Sequence, residues 1–287
     1  MIAYYFAHLM SRLACLLPRS VAELLGKGLG VVGWQFVPGW RKDMARENIM
    51  LCLGVDESEA DRIARESMVR FGPMLMEVLR FRVIKAHMED YVDIHGLDYL
   101  REAAKHGGGV LAAAHSGNWE FLGGIFAQQG IPTVGVAMKQ HSTGFNKFIH
   151  DQRVLMDMHI TYKDNVREMY DMLSKGWFIG LIMDQDVSRR DGIVLEFFQR
   201  PTNCAVGAAT MARFKDAPIL PTFIHRDRDG KHHVSVLPPI RVERTRDKRE
   251  DIRRVTQEIA RLTEEHIRTY PEEWFWLHDR WKSMRDD

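Results

Sequence analysis

A histidine and a glutamate five positions apart, in the turn His115-Ser-Gly-Asn-Trp-Glu120, are residue types that together can move a proton. Within one continuous helix their side chains would diverge by about 140°, at roughly 100° per residue, so they can meet only across a turn. The chain supplies one. Val110 to Ala114 is a short apolar run behind Gly107-Gly-Gly109 and reads as a buried strand, and a helical pattern resumes after Gly117. With Gly117 as the N-cap, Glu120 takes the third helical position, where the helix dipole favours a carboxylate. An imidazole oriented by a carboxylate is a general base for a substrate hydroxyl. The plainer alternative is a buried histidine that only satisfies the junction. The glycines, Asn118 and the acid at fixed spacing favour catalysis.

The elements that must position this pair alternate along the chain. Tyr91 to Ile94 reads as a short strand, followed by a helix from about Leu97. Pro132 to Ala137 and Trp177 to Met183 read as further core strands. Helices are expected over Gly144 to Met158, Val166 to Ser174, Cys204 to Phe214 and Arg249 to Tyr270. Pro218 to Ile224 and His233 to Leu237 read as a hairpin, with His225, His232 and His233 at its surface. Strands alternating with helices define an α/β fold with a mainly parallel central sheet flanked by helices. In such sheets ligands sit at the carboxyl ends of the strands. Three polar clusters fall there: His115 to Glu120, Lys139 to Gln140, and Asp184-Gln-Asp186.

Forty basic and 39 acidic residues in 287 give a net charge of +1, so no overall field points to nucleic acid. Three cysteines without a CxxC spacing fit a reducing compartment and read as packing residues. Asp184 and Asp186 lack a third acid nearby, so no metal is expected, nor any organic cofactor. The run Arg241 to Arg254, seven basic and four acidic residues, reads as a solvated face or a contact for an acidic protein.

Membrane behaviour is written in the first forty residues. Met1 to Leu17 carries one formal charge, Arg12, and Val21 to Val37 carries two; Pro18-Arg19 separates them. Neither reaches the roughly 20 apolar residues that span a bilayer. Tyr4, Tyr5, Phe6, Leu9, Leu13, Leu16 and Leu17 would share a broad face, continued by Leu24, Leu25, Leu29 and Trp34 and flanked by Arg19, Lys27, Arg41, Lys42 and Arg46. That pattern suits helices lying in the interface of an anionic leaflet, or a buried pair packed on the core. The chain thus divides into a helical anchor over 1–40, a helical region over 41–89 and a catalytic α/β domain over 90–287. Deletion of the first eighteen residues is expected to release the protein from membranes and leave it folded.

The turn His115 to Glu120 resembles the HX4(D/E) motif of the glycerolipid acyltransferase superfamily. More specifically, the chain is similar to the late-acting lipid A biosynthesis acyltransferases, the lauroyl and myristoyl transferases of Gram-negative bacteria. The likeness spans Arg41 to Asn48, Asp184-Gln-Asp186, Phe197-Phe198 with Arg200-Pro201, Ala217-Pro218 through Pro221, and the ending Pro271-Glu-Glu-Trp-Phe-Trp-Leu-His278 with Arg280-Trp-Lys282. It implies transfer of a fatty acyl group from acyl carrier protein or acyl-CoA to a hydroxyl of a membrane glycolipid, at the cytoplasmic face of the inner membrane. Another glycolipid or lysophospholipid acceptor, or a catalytically silent lipid-binding protein, would share the fold.

Carried over, His115 and Glu120 are the catalytic pair, with Glu120 holding the imidazole; backbone N–H groups at the helix start near Gly117 and Asn118, or instead the Arg153 side chain, would meet the oxyanion. Lys139 and Arg153 would meet substrate phosphates, Asn146 would bind substrate, and Lys147 reads as a solvated surface cation or a further phosphate contact. Asp184 would pair with Arg153 or orient its loop. Lys139 stands where an arginine is usual, which loses a bidentate phosphate grip. Gln199 stands where a glycine usually follows the two phenylalanines.

Overall fold

The structure is a computed structural model that describes residues 2–138 and 143–285. In chain order the strands are β1 (Val92–His95), β2 (Gly109–Ala113), β3 (Thr133–Ala137), β4 (His159–Tyr162), β5 (Phe178–Ile182), β6 (Gly192–Phe197), β7 (Arg200–Ala205), β8 (Ile219–Arg226) and β9 (His232–Val236). Seven of them form one sheet in the order β1-β9-β8-β2-β5-β3-β4, while β6 and β7 make a separate hairpin. Every neighbouring pair in the large sheet is parallel except β8 and β9.

The helices are α1 (Ile2–Leu16), α2 (Arg19–Phe36), α3 (Gly39–Leu53), α4 (Glu57–Val69), α5 (Phe71–Leu79), α6 (Phe81–Ala86), α7 (Leu97–Lys105), α8 (Trp119–Gln128), α9 (Thr143–Leu155), α10 (Val166–Ser174), α11 (Gly207–Lys215) and α12 (Lys248–Thr269). Strand β2 is buried along its whole length, which explains its uninterrupted apolar sequence. Its Leu111 and Ala113 join a core with Phe121, Leu122 and Ile125 of α8 and Phe148 of α9. Its Val110 and Ala112 face the opposite layer, where Leu173 of α10, Ala208 of α11 and Ile259 of α12 pack. The period of two thus assigns each β2 side chain to one of two helical layers.

A third cluster ties α3 and α4 to the hairpin tip and the C-terminal tail through Ile49, Ile63, Phe197, Phe198, Trp274, Trp276 and Trp281. These tryptophans are core residues, as their apolar bulk suggests. Helix α1 is seated by the buried Ala7 and Ala14, and Nη1 of Arg80 donates to the carbonyls of Ala14 and Leu17 at 2.5 Å each. Removing α1 would strand that buried guanidinium, so the remainder is not expected to stay folded.

Several elements depart from expectation. Strand β4, in a stretch the pattern left unassigned, is a four-residue edge strand whose mixed, mostly half-buried residues carry little alternation. Helix α9 ends at Leu155, three residues early, because Asp157 turns left-handed (φ 63°). The N–H of Met158 then donates to the Arg153 carbonyl and that of Asp157 to Val154, a Schellman closure. Cys204 and Ala205 finish β7 before α11 begins at Gly207. His232 is fully buried against Glu77 (Nε2 to Oε2, 3.0 Å), because β9 lies inside the sheet with its even residues inward. Among the described residues no helix is long and apolar enough to cross a membrane.

Candidate active site

Strand β2 runs out at Ala113, and the next residues are gripped from the C-terminal tail. The N–H of Phe275 donates to the His115 carbonyl (3.1 Å), that of Gly117 donates to the Glu273 carbonyl (3.0 Å), and Ser116 bridges to Trp274. Gly117 has φ +55°, and a Cβ there would lie 2.5 Å from the Ile224 carbonyl oxygen. Its glycine requirement therefore comes from the packing of this loop on β8. With its N–H spent on Glu273, Gly117 is no oxyanion donor.

The N-cap of α8 is Asn118, not Gly117. Its Oδ1 accepts from the Phe121 N–H (3.2 Å) and its Nδ2 donates to Glu77 Oε2 (2.7 Å). Its buried amide anchors the turn to α5, so its side chain is unavailable to substrate. The shift puts Glu120 at the second helical position.

The acid that holds His115 is Asp184, at the end of β5. Asp184 Oδ1 lies 2.9 Å from His115 Nδ1 and accepts from the His115 backbone N–H at 3.0 Å. Its other oxygen accepts from Trp274 Nε1 at 2.7 Å. Three donors around a buried carboxylate fix it, and it fixes the ring, leaving Nε2 for substrate. Glu120 instead forms a bidentate pair with Arg153 of α9, at 2.7 and 2.8 Å. The expectations that Glu120 orients the histidine and that Asp184 pairs with Arg153 are thus both corrected. Spacing cannot tell which of two nearby acids the sheet register brings to the ring.

Burial resists charge on His115, but the charge and hydrogen bond of Asp184, with a further contribution from Glu120, outweigh it and raise its pKa above the usual 6.5. Burial likewise opposes ionisation of Asp184, yet His115, Trp274 and the His115 N–H together pull its pKa below the ordinary 3.8. On the far side of the loop, Ser116 Oγ is 2.8 Å from His266 Nε2. Burial drives His266 down to about 3, so it stays neutral, whereas the pKa of His115 is shifted the other way. Asp186 secures the tail, accepting from the Ser283 N–H and Oγ at 2.9 and 2.8 Å.

Beside this pair opens a mostly apolar cleft, with Trp119, Glu120 and Arg153 among its lining and Leu111, Ala113, Leu122 and Ile182 in its walls. The Trp119 ring stands edge to face with His115, centroids 5.0 Å apart. Arg153 therefore sits where substrate would pass, with two nitrogens committed to Glu120. Asn146 is not brought here: its Nδ2 donates to the Tyr162 hydroxyl at 3.3 Å, by the edge strand β4. Lys139 lies outside the described residues. Trp274, the donor that locks Asp184, was legible as part of a tryptophan-rich tail but carried no signal of its role.

A strand-end histidine backed by a carboxylate and flanked by an apolar cleft sets a general base beside room for a hydrocarbon chain. Residues 1–283 match the family of bacterial lipid A biosynthesis acyltransferases, and the chain belongs to that family. It is an acyltransferase. It is 28% identical over 251 residues, 83% of this chain and 77% of the other, to a phosphatidylinositol mannoside acyltransferase of Mycobacterium tuberculosis. It is 23% identical to the lipid A biosynthesis palmitoleoyltransferase of Escherichia coli (93% and 87% covered) and 23% identical to the lauroyltransferase of the same organism (93% and 87%).

Proposed function

We propose that the enzyme moves a fatty acyl group from the thioester of acyl carrier protein or coenzyme A to a hydroxyl of a lipid A precursor. The observation that carries the reading is the His115–Asp184 pair beside an apolar cleft whose lining includes the Glu120–Arg153 pair. His115 Nε2 takes the proton of the acceptor hydroxyl as its oxygen attacks the thioester carbonyl. Asp184 balances the imidazolium that forms. The oxyanion is met by the Trp119 and Glu120 N–H groups in the first turn of α8 and by Nη1 of Arg153, the nitrogen that does not bond Glu120. As the carbon–sulfur bond breaks, the imidazolium returns its proton to the thiolate. No covalent acyl-enzyme is required, because the thioester is already activated.

The work is placed at the cytoplasmic face of the inner membrane of a Gram-negative bacterium. Ile2, Tyr5, Phe6, Leu9, Leu13 and Leu16 of α1 and Leu24, Leu25, Val32 and Phe36 of α2 are exposed. So large an apolar surface supports contact with lipid, the helices lying in the interface and not crossing it. Replacing Phe6 and Leu9 by glutamate should move the protein to the soluble fraction. Retention at high salt would refute the interfacial reading.

Mass spectrometry of lipid A from cells with and without the protein tests the acceptor. The expected result is one acyl chain fewer in its absence. Unchanged lipid A, with a phosphatidylinositol mannoside or lysophospholipid altered instead, would move the same chemistry to another acceptor.

A further inference from the structure

We infer that Met158 sets the depth of the acyl cleft, and so the length of the chain the enzyme prefers. This rests on the reading that the cleft takes the acyl group. In the register of the sheet, Leu111, Gly180 and Gly135 form one row across β2, β5 and β3, and Ala113 and Ile182 form the row above, nearer His115. Side chains two apart along a strand share a face, so all of these look toward the layer that contains α8. One row spans about 6.6 Å along the strand direction at roughly 3.3 Å per residue. A chain entering beside His115 therefore descends from the Ala113 row to the Gly135 row.

At that lower row the floor belongs to Met158. A Cβ placed on Gly135 would lie 2.8 Å from the Met158 methyl, and one on Gly123 of α8 would overlap the same methyl and stand 3.0 Å from its sulfur. The thioether end thus fills the notch that these two glycines leave between α8 and β3. Met158 also lines the cleft. The Schellman closure of α9 holds both Met158 and Arg153, since the Met158 N–H bonds the Arg153 carbonyl at 3.2 Å. One helix end therefore supplies the guanidinium among the lining and the stop at the floor. Methionine is unbranched and flexible, a side chain suited to meeting the end of an alkyl chain.

The test is isothermal titration of the full-length protein with decanoyl, lauroyl, myristoyl, palmitoyl and stearoyl coenzyme A below their critical micelle concentrations, with coenzyme A alone as the reference. Affinity of the wild type should rise with chain length and then level off. In Met158→Ala, which removes Cγ, Sδ and Cε, the break should move to a chain about two methylenes longer. The affinity for that chain, relative to the one at the wild-type break, should rise about tenfold. In Gly135→Ala the new methyl should press the thioether into the cleft and move the break to a shorter chain. An unmoved break in a Met158→Ala protein with normal near-ultraviolet dichroism overturns the inference. A wild type with no preference over coenzyme A alone overturns the acyl-cleft reading beneath it.

Discussion

Two acids within reach of one histidine have been given opposite surroundings. Asp184 is 4% exposed, receives three N–H donors and touches only the back of the imidazole. Glu120 is open to the cleft and shares its charge with a guanidinium. The first arrangement fixes an ionisation state and a ring orientation. The second leaves a charge pair facing the cleft. An acid that orients a base is best shielded from solvent, because a low dielectric strengthens its hold, whereas an acid that faces substrate has to stay reachable.

Removing the base is the strongest way to break this contrast. His115→Ala should lower acyl transfer by at least about 10⁴ in a protein that still folds, measured as thioester consumed with acceptor present. Persistent transfer would refute the mechanism. Asp184→Asn comes next, with an expected loss of about 10²–10⁴. An amide cannot accept from both His115 and Trp274, so a stability loss of about 1–3 kcal/mol should accompany it. The pH profile separates the two acids. In the wild type the acid limb of the rate should lie above the ordinary histidine value, since His115 must be neutral to act and its pKa is raised. Without Asp184, burial is opposed only by the smaller influence of Glu120 and the limb should move to lower pH.

Glu120→Gln should cost about 10–10³ in rate and shift that limb far less, because its influence on His115 is the smaller one. Equal shifts in both variants would erase the contrast. The folded state offers a further reading. His266 is neutral down to about 3, so the unfolded chain gains its proton first as pH falls below about 6.5. Stability from this residue is complete above that value and should have fallen by about 2 kcal/mol near pH 5. His266→Gln, followed by urea denaturation across pH, should flatten that loss. The smallest effect concerns the hairpin tip, where register pairs Phe197 with Arg200 and both turn residues, Phe198 and Gln199, have positive φ (51° and 56°). Gln199→Gly should raise stability by about 0.5–1 kcal/mol, seen as a higher denaturation midpoint.

Much of the fold was legible because burial writes itself into local pattern. Uninterrupted apolar runs marked β2, β3 and β5, and Pro18 marked the break between α1 and α2. The pieces that escaped were those whose burial is partial or supplied from elsewhere: the edge strand β4, the hairpin β6 and β7, and the buried His232 on a strand read as surface. At the site, His115, Glu120, Arg153 and Asp184 were all identified, yet their pairing was exchanged. Asn118 was named for its chemistry and serves instead as a cap tied to Glu77.

By itself the sequence determined which residue types the enzyme brings to its reaction, where the strands end, and that the first two helices carry more apolar surface than a small helix needs. Only the tertiary structure decided which acid meets the imidazole, because that choice depends on the register of β5 against β2, a contact across 69 positions of chain. It likewise decided that Trp274, 90 positions beyond Asp184, would lock the carboxylate. Local spacing encodes helix faces and strand alternation; it holds no information about which strand end will lie beside which.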